Sequence, residues 1–327
     1  MSICTVVFGH NYLCRKEEMG KKDIYDKAYF TEPNRLAELI CNGIYHGKVP
    51  ICADNLRRLE QKYPTLTGSS GELERDGIFL YEKHGIKYGL EIENYSDYGM
   101  PRRVLTYDAC EYERDASQIR IEHEKKRDYS NFEERKSGIK IDEGYYPVIT
   151  MVLFLGQGHF KGKATLKECL QISEKRKPYV SEKIQNYGFP ILEADYVNPL
   201  NFHTELREFF RAMQCRYDKS RLAELFQEEA FQNISMDTQI IIAIHLEMEK
   251  LTNKVIEEKE NMCKAYRELV EDWKEEGRNE GRNEGRLLDI NNLMDSLRIN
   301  AEQAMDFLKI QGEDRRICLS MLQEKKR

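Results

Sequence analysis

Asp76, Glu91 and Glu93 are the residues of this 327-residue chain whose types and spacing could do chemistry. Glu91 and Glu93 stand two apart in Tyr88-Gly89-Leu90-Glu91-Ile92-Glu93, a run with strand character, so both point to one face of a strand. Asp76 opens a second strand-like run, Gly77-Ile78-Phe79-Leu80-Tyr81, and residues 82–87 between the two are short enough for a hairpin. Across that hairpin all three carboxylates reach toward one point. Brought together they repel, and a divalent cation relieves the repulsion. Hard oxygen ligands suit Mg²⁺ or Mn²⁺ better than zinc. The plain alternative is a charged strand face turned to solvent.

The elements that must position this hairpin are legible as hydrophobic patterns. Residues 24–46 read as a helix that starts in earnest after Pro33, with Leu36, Leu39, Ile40, Ile44 and Tyr45 mostly three and four apart. A polar loop follows, carrying Pro64 and Gly68-Ser69-Ser70-Gly71. Residues 103–123 read as a helix with Val104, Leu105, Tyr107 and Tyr112 as candidates for its buried face, and the charged stretch 124–142 as a surface loop. Pro147-Val148-Ile149-Thr150-Met151-Val152-Leu153-Phe154-Leu155 has no charge inside it and predicts a strand buried on both faces, ended by Gly156, Gly158 and Gly162. Residues 165–172, 203–215 and 219–233 read as further helices.

From 236 to 274 the pattern is helical almost without a break, and it leads into Glu276-Gly277-Arg278-Asn279-Glu280-Gly281-Arg282-Asn283-Glu284-Gly285-Arg286. In a helix this repeat sets Glu276 beside Glu280 and Arg278 beside Arg282, like against like. Each glycine adds a cost of about 1 kcal/mol relative to Ala. The segment reads as a weak helix or a linker without large apolar residues. Leu287, Leu288, Ile290, Leu293, Met294 and Leu297 then form a stripe, to be covered by helices at 301–309 and near 315–322. So small a core invites self-association through the tail as a supplement.

Composition narrows the function classes. A hydrophobic share of 40%, with 19 Tyr, 13 Phe and 1 Trp, describes a globular chain. The net charge of −6 counts mildly against a nucleic-acid partner, although affinity follows local patches. The nine cysteines are scattered without a CxxC pair, which disfavours zinc knuckles and disulfides and fits a reducing cytosol. The opening residues lack a basic leader before their short apolar run, and no stretch approaches the ~20 apolar residues of a membrane span, so the expectation is a cytoplasmic protein with no membrane partner. The seven histidines form no HxxxH or HExxH pair, and no GxxxxGK[ST] occurs. Gly156-Gln157-Gly158 follows an expected strand as a dinucleotide fingerprint would, but Lys161 takes the third glycine's place. Lys125-Lys126-Arg127 lies among Glu122, Glu124 and Asp128 and reads as a solvated loop, and Tyr107 and Tyr112 read as core residues rather than stacking platforms.

Tyr95-Ser96-Asp97-Tyr98-Gly99, followed by Met100-Pro101-Arg102-Arg103-Val104-Leu105-Thr106-Tyr107-Asp108, resembles the recombination-promoting nuclease (Rpn)/transposase family of the PD-(D/E)XK nuclease superfamily. That family shows an Arg-Asp strand start, a Glu-containing strand, then Asp-Tyr-x-Met-Pro-x-Arg-Val and Tyr-Asp. Pro147-Val148-Ile149-Thr150 resembles its second landmark, and Met262-Cys263-Lys264-Ala265 before the repeats its third. The resemblance runs in order from about residue 20 to 325.

The resemblance implies an α/β PD-(D/E)XK restriction-endonuclease-like core over 20–215, a central mixed sheet flanked by helices. Beyond it come a helical region at 216–275, the linker at 276–286 and a small helical module at 287–327. It implies a metal-dependent DNA endonuclease acting in recombination or mobile-element biology. Asp76 and Glu91 match the metal ligands, with the carbonyl of Ile92 as a further ligand, and the metal and its carboxylates would activate water. The third catalytic position, normally Lys or Gln, holds Glu93, which could hold a second metal or act as a base. Arg103 matches the motif's arginine and is the candidate for contact with DNA phosphate, with pairing to Asp97 or Asp108 as the structural alternative. Glu38 is a candidate additional ligand from the first helix, against an ordinary solvent-facing role. The competing reading is a nuclease fold that has lost catalysis and binds DNA or protein through its helical tail.

Overall fold

The computed structural model describes residues 20, 22–64 and 72–324. The sequence readings at Gly68–Gly71 and at the opening residues fall outside them. The chain divides into two compact units, Met1–Met248 and Glu249–Arg327.

The first unit opens with helix α1 (residues 22–30) and helix α2 (Pro33–Gly43). Pro33 splits what the pattern suggested was one helix. It forces the preceding Glu32 into an extended conformation (ψ 133°), and the Glu32 carboxylate then caps α2 by accepting the Arg35 N–H at 3.1 Å. Short strands β1 (Leu56–Arg58), β2 (Lys62–Pro64) and β3 (Glu72–Glu74) follow; β2 and β3 pair with each other. The hairpin comes next as β4 (Gly77–Tyr81) and β5 (Ile86–Glu93). Its turn closes where Gly85 takes φ +62° and donates its N–H to the Tyr81 carbonyl at 2.9 Å.

Helix α3 (Met100–Lys126) carries the chain over to strand β6 (Val148–Phe154). It runs further at both ends than the apolar pattern suggests, and a short helix α4 (Phe132–Ser137) interrupts the expected charged loop. One-turn helices α5 (Leu166–Cys169) and α6 (Lys177–Val180) precede strand β7 (Ile191–Glu193). Helices α7 (Leu206–Cys215), α8 (Lys219–Leu225), α9 (Glu229–Gln232) and α10 (Met236–His245) complete the unit.

Five strands form a mixed sheet in the order β1-β4-β5-β6-β7. β1 and β5 lie antiparallel to β4, while β6 lies parallel to both β5 and β7. The continuous apolar run of β6 is thus explained: it sits between two parallel neighbours with helices on both faces. Val152 packs with Met100 and Val104 of α3, whereas a Cβ on Gly43 of α2 would run into the Met151 side chain. Residues 151 and 152 point to opposite faces, so α2 and α3 cover opposite sides of the sheet.

The first unit reaches past the expected boundary at 215 because α8 to α10 belong to its core. Leu222, Phe226, Phe231, Ile241 and Ile242 are buried. Tyr29 and Thr238 share a hydrogen bond of 3.0 Å, and His245 meets Asp26 at 2.6 Å, tying α10 to α1.

The second unit consists of α11 (Glu249–Ile256), α12 (Met262–Leu297), α13 (Ala301–Phe307) and α14 (Gly312–Glu324). The segment 276–286, read as a weak helix or a linker, is the middle of α12. Its side chains are exposed or half-exposed, with none buried. The helix persists because both flanks are anchored, by Met262, Ala265, Tyr266 and Leu269 on one side and Leu287 and Ile290 on the other. Extending a nucleated helix costs far less than starting one. Leu287, Ile290, Ala304, Met305, Ile310 and Cys318 form the core of the tail, with Leu293 and Met294 packed against it. Leu288 and Leu297, counted in the expected stripe, are exposed.

Candidate active site

The two strands of the hairpin deliver Asp76 and Glu91 to one place. Gly77 pairs with Leu90, so Asp76, one residue before β4, stands across from Glu91 on the same face. Both side chains are buried, and both line a cleft of about 280 Å³ with Ile92, Glu93 and Arg103. An Asp76 oxygen, Oδ2, accepts the Ile92 N–H at 2.7 Å, and Oδ1 lies 3.1 Å from the Lys27 ammonium. Burial raises the Asp76 pKa, against the pull of the Ile92 N–H and of Lys27.

Glu91 sits deeper, 2% exposed. Its Oε1 is 3.4 Å from Nε of Arg75 and its Oε2 is 3.5 Å from Nη2 of Arg103. Oε1 has no hydrogen-bond partner although it is buried. Burial pushes the Glu91 carboxyl up to about 8, reinforced by Asp76 and opposed by Arg75 and Arg103.

Arg75 anchors the floor of this site and is fully buried. It donates to Asp108 Oδ1 at 3.2 Å and to Thr150 Oγ1 at 2.5 Å, joining the hairpin to α3 and β6. Thr150 in turn donates to Asp108 Oδ1 at 2.5 Å, and the Tyr187 hydroxyl donates to Asp108 Oδ2. Burial works against the Arg75 charge, and the carboxylates of Glu91 and Asp108 more than offset it.

The expected convergence of three carboxylates on one point does not form. Among the described residues, no group of three or more His, Cys, Asp or Glu side chains is placed to hold a metal ion. Arg103 is the physical reason. Held at the start of α3, it pairs with Glu93, approaches Glu91 and meets Asp97 Oδ2 at 3.1 Å, so Glu93 is bound to a cation of the protein's own. Of the two structural partners foreseen for Arg103, Asp97 is occupied by it and Asp108 belongs to Arg75. Glu38 lies elsewhere: its carboxylate accepts the N–H groups of His203 (2.7 Å) and Thr204 (3.0 Å) ahead of α7, so it is a capping group.

Two residues escaped the sequence reading. Lys27, from α1, brings an ammonium to Asp76, and the Asp76 and Asp23 carboxylates outweigh burial to push it up to about 12. Arg75 enters the sequence reading only through the Arg-Asp strand start of the resembled family, yet it joins Glu91, Asp108 and Thr150. The adjacency of Arg75 to Asp76 was the one available signal. Nothing local marks Lys27, which lies 49 residues before its partner Asp76.

The residues fit a hard divalent cation in two respects. Asp76 and Glu91 supply oxygen donors from adjacent strands, and Oε1 of Glu91 is buried with no hydrogen bond, only the Arg75 guanidinium 3.4 Å away. No protein-family model matches this chain, and no curated protein or solved structure matches it either.

Proposed function

We propose that this protein is a metal-dependent DNA endonuclease of the recombination-promoting nuclease/transposase kind, hydrolysing phosphodiester bonds in recombination or mobile-element processes. The observation that carries the reading is the Asp76–Glu91 pair at the head of the hairpin, both buried and both lining one cleft. Asp76, Glu91 and the Ile92 carbonyl would hold Mg²⁺ or Mn²⁺. The cation, when bound, polarises the phosphate and lowers the pKa of a water.

The chain's own groups do the rest. Glu91, protonated near neutral pH by its burial, releases its proton when a cation takes its place. Lys27 supplies the positive charge that Glu93 does not, at the Asp76 side of the cleft. Arg103 orients Glu91 and Glu93 and offers its guanidinium to a DNA phosphate. The fold is of the mixed α/β kind with a helical C-terminal unit, and a PD-(D/E)XK core is part of the same proposal.

A second reading, a nuclease fold without catalysis that binds DNA or protein, has one observation in its favour. Lys27, Arg75 and Arg103 already neutralise the carboxylates that would hold the cation. Nicking of supercoiled plasmid with Mg²⁺ or Mn²⁺ decides between them. The native chain should nick and Asp76→Ala should not. Equal results from the two, active or inactive, would remove the proposed metal site.

A further inference from the structure

Beside the carboxylate cleft lies a second, larger one of about 460 Å³. Lys22, Asn94 and Tyr95 line both, so the two are continuous. The second cleft sits where β5 and β6 end, between the loop after Glu93 and the loop after Phe154. The carboxyl ends of parallel strands are where open α/β sheets bind ligands.

The two clefts differ in charge. The first is lined by the carboxyl groups of Asp23, Glu74, Asp76, Glu91 and Glu93 beside Lys22 and Arg103, and its cations are held by carboxylates: Arg103 by Glu93 and Asp97, and Lys27 by Asp76. The second is lined by Lys22, which pairs with Glu247 at 3.4 Å, by Arg216, which pairs with Asp195, and by Lys161, which pairs with no carboxylate among the described residues. A phosphodiester chain therefore finds an uncommitted cation, Lys161, in the second cleft and none in the lining of the first beyond Lys22, which the two share.

Its walls are aromatic. Tyr95, Tyr98 and Tyr217 are 70%, 69% and 69% exposed, and all three border this one cleft. Large aromatic side chains gathered in solvent around one depression mark a binding surface. Tyr95 and Tyr98 pack on no other ring among the described residues. One side of Tyr217 rests on the Arg216 guanidinium, 5.3 Å from the ring centre.

The base of the cleft is held by a network of hydrogen bonds. Arg216 is buried and donates to the carbonyls of Leu155 (3.0 Å) and Gly156 (2.9 Å) while pairing with Asp195 at 2.9 Å. Its Nε remains buried without a partner. Asn94 donates to Asp26 at 2.9 Å, and Asp26 holds His245. Lys161 is fixed through its backbone N–H to Ser96 at 2.8 Å, and its ammonium, exposed, forms no ion pair among the described residues.

We propose that this second cleft binds an unpaired stretch of DNA, its phosphates against Lys161 and Lys22 and its bases stacked on Tyr95, Tyr98 and Tyr217. The inference rests on the nuclease reading and narrows its substrate. In a duplex the faces of the bases are covered by their neighbours, so tyrosine rings find nothing to stack on. A frayed, flipped or single-stranded segment exposes those faces. The strand to be cut would then lie over the second cleft and present the next phosphate to Asp76 and Glu91.

The test uses the full chain in EDTA, so that cation binding plays no part. Fluorescence anisotropy follows a labelled oligothymidylate and a blunt duplex of equal length. The single strand should bind more tightly. Tyr98→Ala and Tyr217→Ala should each weaken its binding on the order of tenfold and leave duplex binding unchanged, while Tyr98→Phe retains it. Lys161→Glu should weaken both and lower the salt slope by about one. Thermal melting of each variant controls for folding. Equal affinity for duplex and single strand in the native chain overturns the inference, as does unchanged single-strand binding in both folded alanine variants. Plasmid nicking separates the two readings. Nicking without single-strand preference removes the cleft proposal alone, and single-strand preference without nicking upholds the cleft and removes the nuclease.

Discussion

Arg75 fills the space that a side chain on Gly89 would take. A Cβ at position 89 would fall against the Arg75 guanidinium, 2.7 Å from Cζ, and against the Thr150 hydroxyl. The absence of that one carbon lets a charged group lie flat on the middle of the sheet, where it reaches Glu91, Asp108 and Thr150 together.

Gly89→Ala is therefore expected to be among the most damaging substitutions in the chain. It must move Arg75, and moving Arg75 leaves Asp108 as a buried charge without its cation. Loss of one partner from a buried pair costs about 3–5 kcal/mol. Urea denaturation should show a loss of that order or no folded protein. A change below about 1 kcal/mol would mean that Arg75 does not need the space.

Glu91 should make stability fall with rising pH. Its carboxyl moves from an ordinary 4.5 to about 8 on folding. Between those values the folded chain keeps a proton that the unfolded chain has released, so stability declines through that window and levels off above about 8. A cation at Glu91 must displace the same proton, so Mg²⁺ affinity should rise across the same range. Denaturation curves and calorimetric Mg²⁺ titrations at several pH values read both effects, and Glu91→Gln should abolish them. A native chain with a flat profile in both would place the Glu91 carboxyl in the ordinary range.

Lys27 should affect cation binding and turnover in opposite directions. Lys27→Met removes an ammonium 3.1 Å from Asp76, so Asp76 becomes a stronger ligand and Mg²⁺ binds more tightly. The same change takes positive charge from the reacting phosphate, and nicking at saturating Mg²⁺ should fall by roughly 10²–10³. Tighter binding with undiminished nicking would reduce Lys27 to a counter-ion.

The division at Met248 and Glu249 predicts that residues 1–248 fold without the rest. Circular dichroism and cooperative melting of that fragment check it, and light scattering of the fragment beside the full chain tests self-association through the tail. Within the tail, a Cβ at Gly277, Gly281 or Gly285 meets nothing within 4 Å. Replacing each with Ala should stabilise α12 by up to about 1 kcal/mol. Destabilisation by these changes would point to a contact made by the repeat in solution.

Parts of the fold could be read from sequence because their causes are local. The β4–β5 hairpin showed as two apolar runs around a short polar turn, and β6 as an uninterrupted apolar run, which is how strands covered on both faces must look. The short strands β1, β2, β3 and β7 did not show, since three residues carry too little periodicity to register. The helix through 276–286 could not be told from a linker for another reason. Its own residues disfavour helix, and only the packed segments on either side carry it through.

The same division runs through the candidate site. The sequence by itself determined that Asp76 and Glu91 share a sheet face, because strand alternation and hairpin length dictate which residues stand opposite one another. Tertiary structure alone decided which charges meet them. Lys27 arrives from α1, Arg103 turns Glu93 aside, and Arg75 lies under Glu91 because Gly89 leaves room. Ion pairs join residues far apart in the chain and impose no period on it, so they become visible only once the chain has folded.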